Sequence, residues 1–377
     1  MNLADYTAGT QEAQYEYASF LPTPICHEWT LADAELTDLL GRADRALGEL
    51  NGISRLAPEI DFFIRMYVAK EATQSSRIEG TQTNIEDAFK DEQDVSPEER
   101  DDWVEVQNYI EASNYAIAAL ERLPLSNRLL CEAHARLMQG VRGERKQPGE
   151  FRRSQNWIGV SLKNATFVPP HHERLADLMH DLERFLNNES HHIHPLLRAA
   201  IAHYQFETIH PFLDGNGRLG RLLVSLFLVD QKLMHKPALY LSDYFERNKT
   251  AYVDHLMAVR QANHMREWLI FFLHGIEETA LAASRVFENV LKLKSRIDTE
   301  VLPHFGPRKL TKAQAALRLL YARPVTDIKL VSEQLEVTTN TASSLIQDLV
   351  KHGVLKEVTG QQRNRLFVFS DYVTLFQ

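Results

Sequence analysis

The stretch His210-Pro-Phe-Leu-Asp-Gly-Asn-Gly-Arg-Leu-Gly-Arg221 puts a proton acceptor, a carboxylate, loop glycines and two arginines within twelve residues. Leu197, Ala200, Ile201 and Tyr204 recur at the spacing of one helical face, so a helix leads in. Leu222 to Val229 is apolar nearly all round and reads as a buried helix leading out. Between them, Gly215-Asn216-Gly217 can take positive φ and turn successive N–H groups toward one point. The second helix starts there, so its unpaired amides and positive dipole end face the same point. That combination is an anion site, most simply a phosphate site. Arg218 and Arg221, three apart on one helix face, can add charge-assisted bonds to the same anion.

A chain of 377 residues can hold two or three domains with a well-buried core. No apolar run approaches the roughly 18–20 residues that span a bilayer, so no membrane partner is expected. The N-terminus lacks the basic start and apolar stretch of a signal peptide. Two cysteines, Cys26 and Cys131, are too few for a disulfide scaffold and suit a reducing, cytoplasmic location. The net charge of −9 argues against nucleic acid coating the whole chain but leaves room for one basic module.

Residues 1–55 form an N-terminal region. Its Pro-punctuated piece, Phe20-Leu-Pro-Thr-Pro-Ile25, cannot be regular helix and is expected to wrap along the surface; a helical pattern then runs through Leu40 and Leu47. The main body spans 56–295. A helix is predicted over Ile60–Ile78, stopped by Gly80 in the left-handed region. Glu86–Asp102 is acidic and reads as a solvated helix-and-loop region, and Trp103–Leu120 and Ser126–Met138 read as amphipathic helices. Within 147–170, Phe151, Trp157-Ile158-Gly-Val160 and Phe167-Val168 are β-prone around Lys163-Asn164-Ala165, a hairpin pattern that could equally be an edge decoration. Helices resume at Glu173–Leu186, Lys249–His264 and Trp268–Leu293. The fold class is therefore mainly α.

After a linker at 296–307 the composition changes. Residues 308–377 read as helix (Thr311–Tyr321), helix (Lys329–Leu335), helix (Asn340–His352, with Asn340 as N-cap), then β-prone Val354–Val358 and Arg365–Phe369. This is the order of a winged helix-turn-helix. The segment carries ten basic and six acidic residues, +4 against −13 for the rest. That asymmetry suits DNA contact by this end alone, although such units also serve as protein-interaction modules.

Gly215-Asn-Gly-Arg-Leu-Gly220 matches the G-x-G-x-x-G string of dinucleotide-binding folds, but that fingerprint needs a preceding strand and a βαβ unit. The lead-in here is helical, so the dehydrogenase reading fails. His171-His172 and His191-His192-Ile-His194 lack zinc-site spacing and read as surface or capping residues. His210 differs by its surroundings. Asp214 offers a hard oxygen ligand suited to Mg²⁺ on nucleotide phosphates. A neutral imidazole beside such a phosphate can take a proton from an attacking hydroxyl, and phosphate-group transfer needs little else.

The twelve residues match every fixed position of H-x-F-x-[DE]-G-N-G-R-x-x-R, and the chain is identified by resemblance as a member of the Fic family over about residues 20–290. Members with this complete motif generally transfer AMP from ATP to a Tyr, Thr or Ser hydroxyl of a protein. The resemblance implies that His210 is the general base, Phe212 a buried anchor, and Asp214 the Mg²⁺ ligand. It implies an ATP-binding set of Glu79, His210, Gly215, Asn216, Gly217, Arg218, Leu219, Gly220 and Arg221, with Arg221 on the γ-phosphate. Asn248 and Tyr252 resemble positions lining the adenosine pocket. Ser75-Ser-Arg-Ile-Glu79-Gly80 resembles the family's inhibitory motif, whose Glu pairs with the last motif Arg where the γ-phosphate would lie. A carboxylate and a guanidinium form a bidentate pair, which would displace that phosphate. The 147–170 hairpin resembles the family's flap, which takes a target's extended segment by strand addition. A C-terminal winged helix accompanies the core in many bacterial relatives, and the resemblance also allows a homodimer and self-modification.

The function expected is a protein adenylyltransferase held off by Glu79. The alternatives are removal of AMP from a modified protein, with Glu79 orienting a water, and transfer of another nucleotide or phosphate-linked group. A different class of function is a DNA-binding regulator whose nucleotide site is a sensor, with Asn340–His352 entering the groove and Gln361–Arg365 as the wing.

Overall fold

The structure is a computed structural model and describes residues 3–56, 60–140, 146–188, 190, 192–361 and 364–377. The chain opens on an antiparallel hairpin, β1 (Gly9–Ala13) and β2 (Ala18–Pro22), with Gly9 opposite Pro22 and Ala13 opposite Ala18. This differs from the surface wrap expected of the Pro-punctuated piece. Pro22 is tolerated because it ends its strand, and Phe20 and Ile25 are buried rather than wrapped over the surface. Helix α1 (Ala34–Leu56) lies along α10 (Met265–Arg296), and Arg42 to Glu277 and Arg266 to Asp33 bind the two.

Helix α2 (Ile60–Ile78) has the bounds its pattern predicts. Gly80 at φ +111° lets Thr81 N–H donate back to Ser76 O at 3.3 Å, a six-to-one helix stop. Two short 3₁₀ turns follow, then α3 (Arg100–Ala119) and α4 (Asn127–Leu137), the latter capped by the Ser126 hydroxyl. Strands β3 (Ile158–Gly159) and β4 (Ala165–Phe167) form the expected hairpin with an irregular register. Phe20 N–H donates to Val168 O at 2.9 Å, so the N-terminal hairpin flanks this second one just beyond β4.

After α5 (Leu175–Asn187) comes the pair at the centre of the molecule. Helix α6 (Pro195–Ile209) is buried from Leu196 to Ile209, and α7 (Asn216–Asp230) is buried on nearly every side. The imidazole of His194 caps α6 at Leu196 N–H, and Pro195 sits at its first turn. His191 lies outside the described residues. Helices α8 (Ser242–Arg247), α9 (Lys249–Ala262) and α10 close the body around this pair. Most of the buried polar side chains of this pair gather around the connection, residues 210–215, and the helix turns next to it.

The expected linker is itself helical. From α10 the chain continues as a π turn (Ile297–Val301) and a 3₁₀ turn (Leu302–His304), with Ile297, Leu302 and Phe305 buried. The last unit runs α11 (Pro307–Ala322), β5 (Val325–Thr326), α12 (Ile328–Gln334), α13 (Thr339–Lys351), β6 (Lys356–Glu357), β7 (Phe367–Val368) and α14 (Ser370–Thr374). Its sheet is antiparallel in the order β5-β7-β6. Strand β5 is absent from the sequence reading because two residues carry no alternation. Thr338, not Asn340, caps α13, its hydroxyl taking Thr341 N–H at 3.3 Å. Residues 362 and 363 of the expected wing lie outside the described residues. No described helix is long and apolar enough to cross a membrane.

Candidate active site

A cavity of about 630 Å³ opens above the α6–α7 connection. His210 ends α6 in the left-handed region at φ +50°, a conformation that costs a non-glycine residue about 1 kcal/mol. The turn is held from below. Buried Arg152 donates to His210 O at 3.0 Å, Pro170 O at 2.6 Å and Ser154 O at 3.1 Å, and Asn156 donates to His210 O and Phe212 O. The base of the hairpin and the site loop are thus one hydrogen-bonded block. The His210 Nδ1 faces Glu207 O at 3.4 Å; a carbonyl only accepts, which assigns the proton to Nδ1 and leaves the Nε2 lone pair free. Burial, then Arg260 and Arg152, push the imidazole down to about 4, so it is neutral at ordinary pH.

Phe212 is fully buried and stacks on His134, centroids 3.8 Å apart. Gly149 N–H donates to His134 Nδ1 at 2.8 Å, so His134 Nε2 carries the proton and donates to Asp214 O at 3.0 Å. The Asn216 side chain brackets Phe212, taking its N–H and giving to its C=O, both at 2.8 Å. It braces the loop; only its backbone N–H is left for a ligand. Gly215 at φ +74° starts α7, aiming the helix's first amides at the cavity.

Arg221 is buried and fixed by the end of α2. Its Nε donates to Ser75 Oγ at 2.8 Å, and one Nη donates to Ser75 O at 2.9 Å and Glu79 Oε1 at 2.7 Å. The bidentate pair expected of Glu79 and Arg221 is not formed, because Ser75, one turn earlier on α2, takes the Nε edge of the guanidinium. Burial alone would raise the Glu79 carboxyl, but the Arg221 charge and hydrogen bond outweigh it and hold it below its ordinary value. Glu79 lies so close that a Cβ on Gly217 would sit 2.4 Å from its Oε1. Arg218 pairs with Glu105 at 3.2 Å, and its other Nη is 4.0 Å from Asp214 Oδ1. Asp214 is half-exposed on the cavity wall; its Oδ1 takes Gly215 N–H at 2.6 Å.

Family models bear on this geometry. The Fic/DOC family model matches residues 124–228, and the Fic/DOC family N-terminal model matches 37–118. The chain belongs to the Fic/DOC family. Protein adenylyltransferase Fic of Drosophila yakuba is 33% identical over 207 residues, covering 53% of this chain and 39% of that protein. The protein of the same name from Drosophila ananassae is 40% identical over 120 residues, 31% of this chain and 22% of that one. The chain thus spans less than half the length of the curated relatives it matches. A Fic family protein of Desulfovibrio desulfuricans G20 has the same fold, with a TM-score of 0.56 at 20% identity, over 91% of this chain and 98% of that one. Fic-1 of C. elegans follows at 0.51 and 23%, over 69% and 74%.

In this Fic core the cavity is lined by Glu79, Gly80, His210, Asp214, Gly215, Asn216, Gly217, Arg218, Arg221 and Tyr252 among the expected residues. Ser75 is buried behind Arg221. Leu219 and Gly220 lie away from the cavity on the inner side of α7, and Asn248 is also off its wall, bonded to Tyr244 O at 2.9 Å. Tyr252 is oriented by His203, which gives its Nδ1 proton to Gly220 O at 2.8 Å and accepts the tyrosine hydroxyl at 2.9 Å. The sequence reading missed His203, His134, Arg152, Glu105, Glu207 and Arg260, all of which support or line the site. Asp214 suits Mg²⁺: a single hard carboxylate leaves the other coordination positions to phosphates and water. His171, His172 and Glu173 bring ligand atoms within 4.8 Å of one another outside the cavity, a set rich in imidazole and unlike a Mg²⁺ site.

Proposed function

We propose that the chain is a protein adenylyltransferase that moves AMP from ATP to a Tyr, Thr or Ser hydroxyl and is held off by Glu79. The observation that carries this reading is a neutral imidazole with a free Nε2 at the mouth of a helix-N-terminus anion site. His210 takes the hydroxyl proton while the oxygen bonds the α-phosphorus and pyrophosphate departs. The backbone N–H groups of Asn216 and Gly217, with Arg218, hold the phosphates. Asp214 would hold Mg²⁺, which neutralises charge on the α- and β-phosphates when bound. Glu79 takes the Arg221 contact that a γ-phosphate would need. The target's extended segment would add to the outer edge of β3, where Ile158 and Val160 are exposed. The 308–377 unit, in the element order of a winged helix-turn-helix, is the place for DNA contact.

Labelled AMP transfer tests this: Glu79→Gly protein with α-labelled ATP should mark itself or lysate proteins, and Glu79→Gly/His210→Ala should not. No labelling by the single variant overturns the reading. Removal of AMP is the second reading, favoured by the position of Glu79, half-exposed in the cavity with its carboxyl held below its ordinary value, as a carboxylate that could orient water. Release of AMP from a pre-modified target by the unaltered protein would select it.

A further inference from the structure

Glu207 is one turn before His210 on α6, lines the same cavity, is 6% exposed, and its Oε1 has no hydrogen-bond partner. A buried polar atom left unpaired is destabilising, so its place in the core needs a reason. The room for it comes from Gly220, where a Cβ would lie 2.3 Å from that Oε1. Charged and titratable groups act on it from three other elements: Arg221 from α7, Glu79 from beyond α2, and Arg260 and Tyr252 from α9. Burial, then Glu79, push its carboxyl up to about 7 against the pull of Arg221 and Arg260.

Arg221 donates three hydrogen bonds to Ser75 and Glu79 at the end of α2. Withdrawing Glu79 alone removes one of these bonds and its charge and leaves Ser75, whereas movement of the end of α2 loosens the guanidinium at the moment a phosphate would need it. Resting on the proposed adenylyltransferase reading, we infer that Glu207 is a positioning residue for Arg221, the inner carboxylate that holds the guanidinium toward the third phosphate once Glu79 has left. With Glu79 in place the two carboxylates repel and Glu207 tends to keep its proton. When Glu79 withdraws, that repulsion goes, Glu207 ionises more readily and Arg221 gains a fixed partner.

The test is the affinity of the Glu79→Gly protein for Mg·ATP and Mg·ADP by calorimetry at pH 6 and pH 8, with and without Glu207→Gln. The ATP-to-ADP preference should be larger at pH 8 than at pH 6. Glu207→Gln should weaken ATP about tenfold at pH 8, the loss of one charge-assisted bond, while leaving ADP within about twofold. Equal weakening of both nucleotides marks a packing role and overturns the inference, as does no change in either. Absence of ATP binding by the Glu79→Gly protein is a separate result, which removes the adenylyltransferase reading first.

Discussion

Arg221 and Glu79 are 142 residues apart in sequence and 2.7 Å apart in space, joined over Gly217 where α7 begins. The contact places a negative group at the end of an anion site, on the cation farthest into the motif. Glu79→Gly is therefore expected to raise AMP labelling by at least about tenfold, since a charge-assisted bond to Arg221 no longer has to be displaced. Ser75 still orients the guanidinium in that variant. Initial rates of transfer from α-labelled ATP measure it, and equal rates for both proteins would show that the pair is no brake.

His210 should make the reaction insensitive to pH through its own titration over the neutral range. Its imidazole is pushed down to about 4, so the base form is complete at pH 6 and is lost only as pH falls through about 4. The sign also governs stability: a histidine that resists protonation when folded stabilises above its unfolded value and ceases to as pH falls below it. A rate profile of the Glu79→Gly protein with an inflection near 6.5 from this group, removed by His210→Ala in residual activity, would contradict the assignment. His210→Ala itself should cost about 10²–10⁴ in rate.

Arg152 holds the left-handed turn at His210 by spanning His210 O, Pro170 O and Ser154 O from one guanidinium. Arg152→Met keeps most of the volume, leaves Pro170 O and Ser154 O without this donor, and leaves His210 O to Asn156 alone. The expected cost is about 3 kcal/mol or more, with labelling lost in step with the displaced His210. Arg152→Lys should recover little, because one ammonium cannot reach three carbonyls in the fork geometry. Thermal unfolding and labelling of the two variants decide this; a lysine variant as stable and active as the parent would deny the clamp.

The site's chemistry was legible because its donors are adjacent in sequence: one loop and one helix start carry His210, Asp214, Gly215 and Arg218. What stayed hidden is what other elements bring to that loop. Arg152, Glu105, Glu207 and Arg260 look like ordinary charges on helices or in a polar hairpin, and only tertiary packing buries Arg152 and Glu207 and half-buries Glu105 and Arg260. Long helices are legible because many residues share one period: α2 has its expected bounds, and α10 extends three residues beyond the expected Trp268–Leu293 at each end. The β1–β2 hairpin and β5 were not, because two to five residues with proline at a strand end carry no periodic signal. The helical turns of 296–307 are hidden for the same reason: His304-Phe-Gly-Pro marks a change of direction, while Ile297, Leu302 and Phe305 are packed.

Helix α2 carries one further expectation. Its last turn bears Ser75 and leads to Glu79, and its first turns are held by the C-terminal unit. Phe63 meets Tyr321 at 6.0 Å and Tyr372 at 6.3 Å, and Tyr67 meets Phe376 at 5.2 Å. Downstream of Glu79, Arg323 pairs with Asp91 at 2.8 Å and Gln377 with Glu86 at 3.3 Å. The turn that bears Glu79 is thus suspended between two attachments to the same C-terminal unit, and loosening either should let Glu79 leave Arg221 more often. Phe376→Ala removes one attachment at the chain's end. It is expected to raise labelling by the otherwise unaltered protein about two- to thirtyfold, the range that 0.5–2 kcal/mol of coupling gives. In the Glu79→Gly background the same change should do nothing to the rate, since no brake remains to be released. A rise of equal size in both backgrounds would show that Phe376 acts on the catalytic core directly and not through α2.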